Sequence, residues 1–177
     1  MNPKLQVFVR DTTRRIFAGY CGPSDARIEP ITPPSKPWIW QSFILVTAPE
    51  VKIYTNFQFN MTVVGPLLAQ KLGVPTCEDR EVGSFMLEFC NIVGGYIKAG
   101  IDANGFSSEL SLPLHTTYPL DLRFNHPGDQ LFKDSCAITW EQEAIGCTFE
   151  LIVSKPGCID TFDFASITDQ TDETVFF

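Results

Sequence analysis

A single long helix is predicted by the run Val82-Gly-Ser-Phe-Met-Leu-Glu-Phe-Cys-Asn-Ile-Val-Gly-Gly-Tyr-Ile-Lys98. Four of its residues are spaced i, i+4, i+7 and i+11 and therefore follow one face of the helix. We call these four residues the polar stripe: Ser84, Glu88, Asn91 and Gly95. Nearly all other side chains in the run are apolar, so the helix is expected to pack on several sides and to expose only this stripe.

The carboxylate in this apolar helix points to a contact surface. A buried carboxylate costs several kcal/mol unless it is paired, so we expect Glu88 to face solvent and a partner. Gly94 and Gly95 follow Asn91 by one turn, and each weakens a helix interior by about 1 kcal/mol relative to alanine. These glycines would let another backbone come close. Together with Ser84 of the polar stripe, Gly94 and Gly95 are the predicted partner-binding residues. Taken as residue types alone, the same residues would be ordinary surface and helix-packing positions.

Two helices are predicted in the middle of the chain. The helix with the polar stripe is expected to begin near Glu78 or Asp79, where acidic residues favour the positive end of the helix dipole, and to end at about Ala99. A first long helix precedes it, capped by Asn60 and ended by Gly73. The sequence therefore predicts two consecutive long helices.

The predicted strands surround these helices in the chain. Residues 38–46 and 51–59 are rich in β-branched and aromatic residues and predict a hairpin. Residues 135–141 and 145–154 alternate apolar and polar side chains and predict a second hairpin, and residues 108–114 predict one further strand. The expected fold class is α+β: a mixed or antiparallel sheet, from two hairpins and one further strand, packed against two long helices.

The ends of the chain are assigned to one domain and a tail. The domain is expected to span residues 1–157, with residues 1–37 forming an amphipathic helix and a proline-rich connector and residues 38–157 forming the core. The connector, residues 28–37, can be at most an edge segment of the sheet. Residues 158–177 are interpreted as a loosely ordered acidic end, and the alternative is a segment that docks through its phenylalanines.

Composition excludes several classes of function. The formal charge of −8 over 177 residues, without a cluster of Lys or Arg, argues against nucleic acid as a partner. No run approaches the roughly 20 apolar residues of a membrane span, so we expect a cytoplasmic protein with no membrane partner. The six cysteines lack a Cys-x-x-Cys pair and are interpreted as reduced, although Cys136 would lie opposite Cys147 and a disulfide there is conceivable.

Metal and common enzyme motifs are not found in the sequence. His115 and His126 are the two histidines, and neither has the spacing of a zinc ligand to another His or Cys. Both are interpreted as residues of a polar loop over residues 115–134. Glycine-rich phosphate loops and nucleophile elbows are also absent from the sequence.

The whole arrangement resembles a known family. The run Ser84-x-x-x-Glu88-x-x-Asn91 followed by Gly94-Gly95, with Pro113 in the strand after the helix, is similar to the motif of the CheC/CheX chemotaxis phosphatases. The resemblance covers roughly residues 38–154. It implies that the helix inserts into the active site of a CheY-like receiver, where catalytic Asn91 orients the attacking water and catalytic Glu88 pairs with the receiver's lysine. It also implies no metal of its own, because the receiver supplies the Mg²⁺.

The sequence of the first long helix indicates which branch of the CheC/CheX family the chain resembles. Residues 60–72 contain no Glu-x-x-Asn, so the chain resembles the CheX type with one active surface, and this implies a homodimer through the sheets. Two other functions remain open. One is a non-catalytic adaptor of the same fold for receivers or the flagellar switch. The other is a small-ligand-binding domain, in which Trp38, Trp40 and Trp140 line a pocket.

Overall fold

The computed structural model describes residues 3–32, 37–117, 127–155, 157–160 and 162–163. These residues form three α-helices, one π-helical turn and seven strands. In chain order the elements are α1 (Pro3–Ile16), the π-helical turn (Phe17–Cys21), β1 (Arg27–Glu29), β2 (Trp40–Thr47), β3 (Val51–Phe59), α2 (Met61–Leu72), α3 (Asp79–Ala103), β4 (Glu109–Leu110), β5 (Leu114–Thr116), β6 (Gln130–Trp140) and β7 (Glu143–Val153). The predicted α+β class is confirmed.

The strands form one antiparallel sheet in the order β1-β6-β7-β3-β2-β4, and β5 also pairs with β2. Both predicted hairpins are present, as β2–β3 and β6–β7. Alternate residues of β6 enter the core: Cys136, Ile138 and Trp140. The same alternation in the sequence had indicated one buried face, because side chains of a strand point to opposite sides of the sheet.

The three helices share one hydrophobic core with this face of the sheet. α1 is joined to it by a two-pronged ion pair, in which the Arg10 guanidinium donates to both carboxylate oxygens of Asp134 at 2.7 and 2.6 Å. In the π-helical turn that follows α1, the ring of Phe17 lies 5.0 Å from Trp140 and 5.7 Å from Phe89 between ring centroids. The N-terminal helix is therefore an integral part of the domain.

α2 begins and ends where the sequence predicted. The Asn60 side chain accepts a hydrogen bond from the Thr62 N–H at 2.9 Å, which satisfies one of the free N–H groups of the first turn. Gly73 ends the helix with a φ of 67°, a conformation that glycine adopts without strain. Pro66 lies inside the helix.

The segment after α3 differs from the prediction. The expected strand over residues 108–114 is two short strands, β4 and β5, because Pro113 between them has no N–H to donate to a ladder. His115 belongs to β5, so its assignment to a loop was wrong, whereas His126 lies outside the described residues. β6 also begins earlier than expected, at Gln130, since a long neighbouring strand, β7, provides hydrogen bonds for its polar first half.

The boundary at residue 157 was too early. Phe162 is buried, with its ring 4.9 Å from Phe106 between centroids. Asn104 binds the backbone of Asp163 twice, donating to its carbonyl at 3.2 Å and accepting from its N–H at 2.6 Å. Docking of the tail through a phenylalanine is thus observed up to residue 163, and the rest of the tail lies outside the described residues.

The second face of the sheet is also covered at its centre. Phe43, Tyr54 and Ile152 point to this side by register, and all three are buried within the single chain. Trp38 lies on the same face, because a Cβ added at Gly146 would meet its ring at 2.5 Å. Only glycine fits under this ring, which explains its presence inside a strand.

All six cysteines are free thiols. Cys136 lies opposite Cys147 in the β6–β7 pair, as the sequence indicated, and both are buried. No helix in the part of the chain that the structure describes has the length and apolar character needed to cross a bilayer.

Candidate functional site

α3 presents the polar stripe at the centre of its exposed face. Its opposite side is buried along the whole length of the helix by residues that include Val82, Met86 and Phe89. Ser84 and Glu88 are exposed, and Asn91 is half-buried. The apolar residues thus fix the orientation of the helix, and this orientation places the stripe outside.

The functional groups of the stripe are available to a partner. Among the described residues, neither the Glu88 carboxylate nor the Asn91 carboxamide has a hydrogen-bond or ion-pair partner within the chain. Ser84 instead donates its hydroxyl to the Arg80 carbonyl at 2.9 Å, so it bonds to its own helix. Glu88 and Asn91, three residues apart, stand about 4.5 Å apart along the helix axis and can act on one target.

The two glycines have different roles. Gly94 is buried, and a Cβ added to it would lie 2.9 Å from both Ile44 Cδ1 and Leu110 Cδ1. It serves the packing of α3 on the sheet, so its assignment to the partner-binding surface was wrong. Gly95 has no neighbour within 4 Å of an added Cβ and lies on the stripe, as predicted.

A pair of alanine substitutions separates these roles. Gly95→Ala is expected to raise the free energy of unfolding by up to about 1 kcal/mol, because alanine favours the helix and meets open space. Gly94→Ala is expected to lower it by about 1 kcal/mol or more, since the methyl group forces Ile44 and Leu110 to move. Urea unfolding of both variants measures the difference. Equal changes in the free energy of unfolding, in the same direction for both variants, would contradict the different roles assigned to Gly94 and Gly95.

Tyr20 and Lys71 flank the stripe near Glu88. The Tyr20 ring stacks on Phe85 at 4.9 Å between centroids, and the Lys71 ammonium lies 4.1 Å from the centre of the Tyr20 ring. Lys71 also donates a hydrogen bond to the Tyr20 carbonyl. Burial raises the pKa of Tyr20 to about 12, and the negative charge of Glu88 acts in the same direction. Sequence reasoning missed both residues, because the π-helical turn that positions Tyr20 has no evident sequence pattern.

The other flank of α3 is formed by the segment around Pro113. Its residue His115 packs against Gly83, where an added Cβ would lie 3.5 Å from His115 Nε2. His115 Nδ1 and the Ser42 hydroxyl form a hydrogen bond of 2.9 Å, and the imidazole stacks on Trp40 at 4.9 Å. Burial lowers the pKa of His115. This histidine packs against α3, and its burial favours the neutral imidazole.

A cleft of about 530 Å³ lies elsewhere, between the π-helical turn, α2 and the β6–β7 turn. Trp140 lines it, whereas Trp38 packs over Gly146 and Trp40 stacks on His115. Of the three tryptophans, Trp140 alone lines this cleft. Within the described ranges no three His, Cys, Asp or Glu side chains are grouped as metal ligands.

Solved structures of CheC-like and CheX proteins are similar to this chain. A CheC-like superfamily protein from Shewanella sp. PV-4 is similar at a TM-score of 0.64 and 16% identity, and a chemotactic CheC-like protein from Shewanella oneidensis at 0.65 and 15%. CheX of Borrelia burgdorferi, in its complex with CheY, beryllofluoride and magnesium, is similar at 0.62 and 12%. Each match covers 85% of this chain and 99% of the other. The chain has the CheC/CheX fold.

Neither a protein-family model nor a curated protein sequence matches the chain. At identities of 12–16% these solved structures share the fold of this chain and little of its sequence. Fold alone does not assign an activity, which depends on the residues of the site. On this CheC/CheX fold, Glu88-Phe-Cys-Asn91 is the one Glu-x-x-Asn in the sequence, and it lies on the exposed face of α3.

Proposed function

We propose that this protein docks onto a phosphorylated CheY-like receiver domain and accelerates hydrolysis of its aspartyl phosphate, in chemotaxis or related two-component signalling in the cytoplasm. The observation that carries the proposal is the pair of Glu88 and Asn91, side by side on the outer face of α3 and without a partner among the described residues. On the CheC/CheX fold this is the pair that the sequence resemblance assigns to catalysis. The Borrelia CheX neighbour forms a complex with CheY, which supports a receiver as the partner.

Asn91 is suited to positioning the nucleophile. Its carboxamide offers both a donor and an acceptor, so it can hold a water molecule and direct one lone pair of the water oxygen toward phosphorus. Attack forms a new P–O bond while the bond to the aspartate oxygen breaks, which releases inorganic phosphate and regenerates the carboxylate. Positioning and electrostatics provide most of the catalysis in phosphoryl transfer, so one well-placed amide is sufficient for a large effect.

Glu88 contributes to docking. In the proposed complex its carboxylate pairs with the receiver's lysine and thereby fixes the helix next to the phosphoryl group. Magnesium would be held by the receiver, where it would neutralise charge on the phosphoryl oxygens. The complex of Borrelia CheX, CheY, beryllofluoride and magnesium has the composition that this arrangement requires.

A homodimer through the sheets is part of the same proposal. The centre of the second face of the sheet, around Phe43 and Tyr54, is buried within the chain. A second copy would therefore bind the outer part of this face, near Leu131, which is 50% exposed. Light scattering after size exclusion measures the mass. A single 19.8 kDa species across the working concentrations would remove the dimer from the proposal.

The test of the function is the decay of phosphorylated receivers from the same cell, with and without this protein. Accelerated decay of one receiver, with release of inorganic phosphate, is the expected result. Binding to a receiver with beryllofluoride and Mg²⁺, measured in parallel, separates the alternatives. Tight binding without acceleration would instead establish the non-catalytic adaptor, and neither binding nor acceleration with any cognate receiver would reject both.

A further inference from the structure

The cleft beside α2 is separate from the polar stripe, since none of the four stripe residues lines it. Its volume of about 530 Å³ lies within the range of about 300–1,000 Å³ that is typical of small-molecule sites. Three parts of the chain form its walls: the end of the π-helical turn with the residues that follow it, α2, and the β6–β7 turn. The cleft is therefore a tertiary feature, built from segments that are distant in sequence.

The inner lining of the cleft is apolar and well ordered. Cys21, Val63 and Trp140 line it and belong at the same time to the hydrophobic core. The Trp140 ring packs against Phe17 at 5.0 Å between centroids, and Leu67 of α2 adds a further apolar side chain to the lining. Because core packing already orders these side chains, little conformational entropy is lost when the apolar part of a ligand covers them.

The charged groups of the cleft are mainly acidic. Among the described residues, three carboxylates line it, those of Asp25, Glu141 and Glu143, against one ammonium group, that of Lys71. The Lys71 ammonium is already bound, since it donates to the Tyr20 carbonyl and lies over the Tyr20 ring. Negative charge therefore dominates the cleft, and such a surface attracts cations and repels anions.

Two of these carboxylates are available to a ligand. Asp25 and Glu141 are exposed, and neither side chain forms an ion pair or a hydrogen bond with another residue in the described part of the chain. Glu141 also has a φ of 49° in the two-residue turn between β6 and β7, a conformation that glycine and asparagine adopt more readily than glutamate. A glutamate is thus present at the cleft although the turn alone would favour another residue.

We infer that this cleft binds a small organic cation, in which an ammonium or guanidinium group is carried on an apolar body. The apolar body packs against Val63, Leu67 and Trp140 in the inner lining. The cationic group pairs with the carboxylates of Asp25 and Glu141, and charge-assisted hydrogen bonds of this kind are stronger than neutral ones. Receiver binding is not required for this site, because the stripe residues lie outside it.

Binding of phenethylamine to the full chain tests the inference, with hydrocinnamate as the probe of opposite charge. Both molecules carry a phenyl ring on a short alkyl chain, so they share the apolar body and differ in the charged group. Phenethylamine is expected to bind with a Kd of about 1 mM or below, and hydrocinnamate at least about tenfold more weakly. Titration calorimetry measures both affinities. Chemical-shift changes of backbone amides should locate the amine at residues 21–25, 62–71 and 140–143.

A pair of double variants tests the role of the carboxylates. Asp25→Asn with Glu141→Gln is expected to raise the Kd of phenethylamine by about tenfold, because the cationic group loses its charged partners. Glu29→Gln with Glu109→Gln is the matched control, since it removes the same charge at two exposed positions outside the cleft, and it should bind as wild type. Glu141→Asn, which also suits the positive φ of the turn, should weaken binding without loss of stability in thermal melting.

Three outcomes would overturn the inference. The first is that neither phenethylamine nor agmatine, a guanidinium probe with an aliphatic body, binds in the cleft at concentrations up to about 10 mM. The second is equal affinity for phenethylamine and hydrocinnamate, which would mean that the carboxylates do not select the charge of the ligand. The third is an equal loss of affinity in both double variants, which would show only a general attraction of cations to a chain with a formal charge of −8.

Discussion

Asn91→Ala is expected to lower the maximal rate of receiver dephosphorylation by about a hundredfold, because a water molecule that is no longer oriented loses most of its attack geometry. Asn91 is half-buried on α3 and has no partner within the described chain, so its removal leaves no unpaired group behind. Docking should therefore be nearly unchanged. The measurement is the decay of phosphorylated receiver at saturating amounts of each variant, together with binding to the beryllofluoride form.

Gln70→Ala is the matched control for this experiment. It also removes an exposed helical carboxamide, but from α2, where Gln70 lines the cleft and is not one of the stripe residues. Its rate should equal that of wild type. Glu88→Ala provides the complementary result, a loss of receiver affinity that exceeds the loss of maximal rate. Full activity of Asn91→Ala would refute the assigned role of this residue, even if the protein binds receivers.

Phe89→Ala is expected to lower the free energy of unfolding by about 3–5 kcal/mol, because it removes a large side chain from the centre of the core. Phe89 is fully buried, with its ring 4.8 Å from Phe57 and 5.7 Å from Phe17 between centroids. It thereby joins α3 to the sheet and to the π-helical turn after α1. Urea unfolding followed by circular dichroism measures the loss.

Two further variants make this result specific. Phe89→Leu keeps most of the apolar volume and should cost clearly less than alanine. Ser84→Ala, on the exposed side of the same helix, should change stability little, since it removes only a hydroxyl that bonds to its own helix. A loss in Phe89→Ala that is no larger than that in Ser84→Ala would contradict the proposed anchoring of α3.

Local patterns were reliable where a structure is decided by residues close together in the chain. Asn60 was predicted as a cap and Gly73 as the end of α2, and both are observed. The alternation in β6 and β7 predicted the hairpin and its buried face. These features depend on backbone hydrogen bonds and side-chain direction over a few residues, which the sequence displays directly.

Errors arose where the deciding contact is distant in sequence. His115 was assigned to a loop, although its strand exists because β2, far earlier in the chain, offers a free edge. Docking of the tail through Phe162 was the less favoured alternative, because Phe106, which it contacts, lies 56 residues earlier in the chain. Tyr20 and Lys71 were missed because no sequence pattern marks the π-helical turn that brings Tyr20 to Lys71 on another helix.

The sequence by itself determined the long helix, the spacing of Ser84, Glu88 and Asn91 on one face, and the α+β class, because helical and strand periodicity are local properties. The tertiary structure alone decided which neighbouring glycine is buried. The residue type does not distinguish Gly94 from Gly95, but successive helical residues point in directions about 100° apart. The sheet covers only one of these directions, so Gly94 packs against Ile44 and Leu110 while Gly95 stays open to a partner.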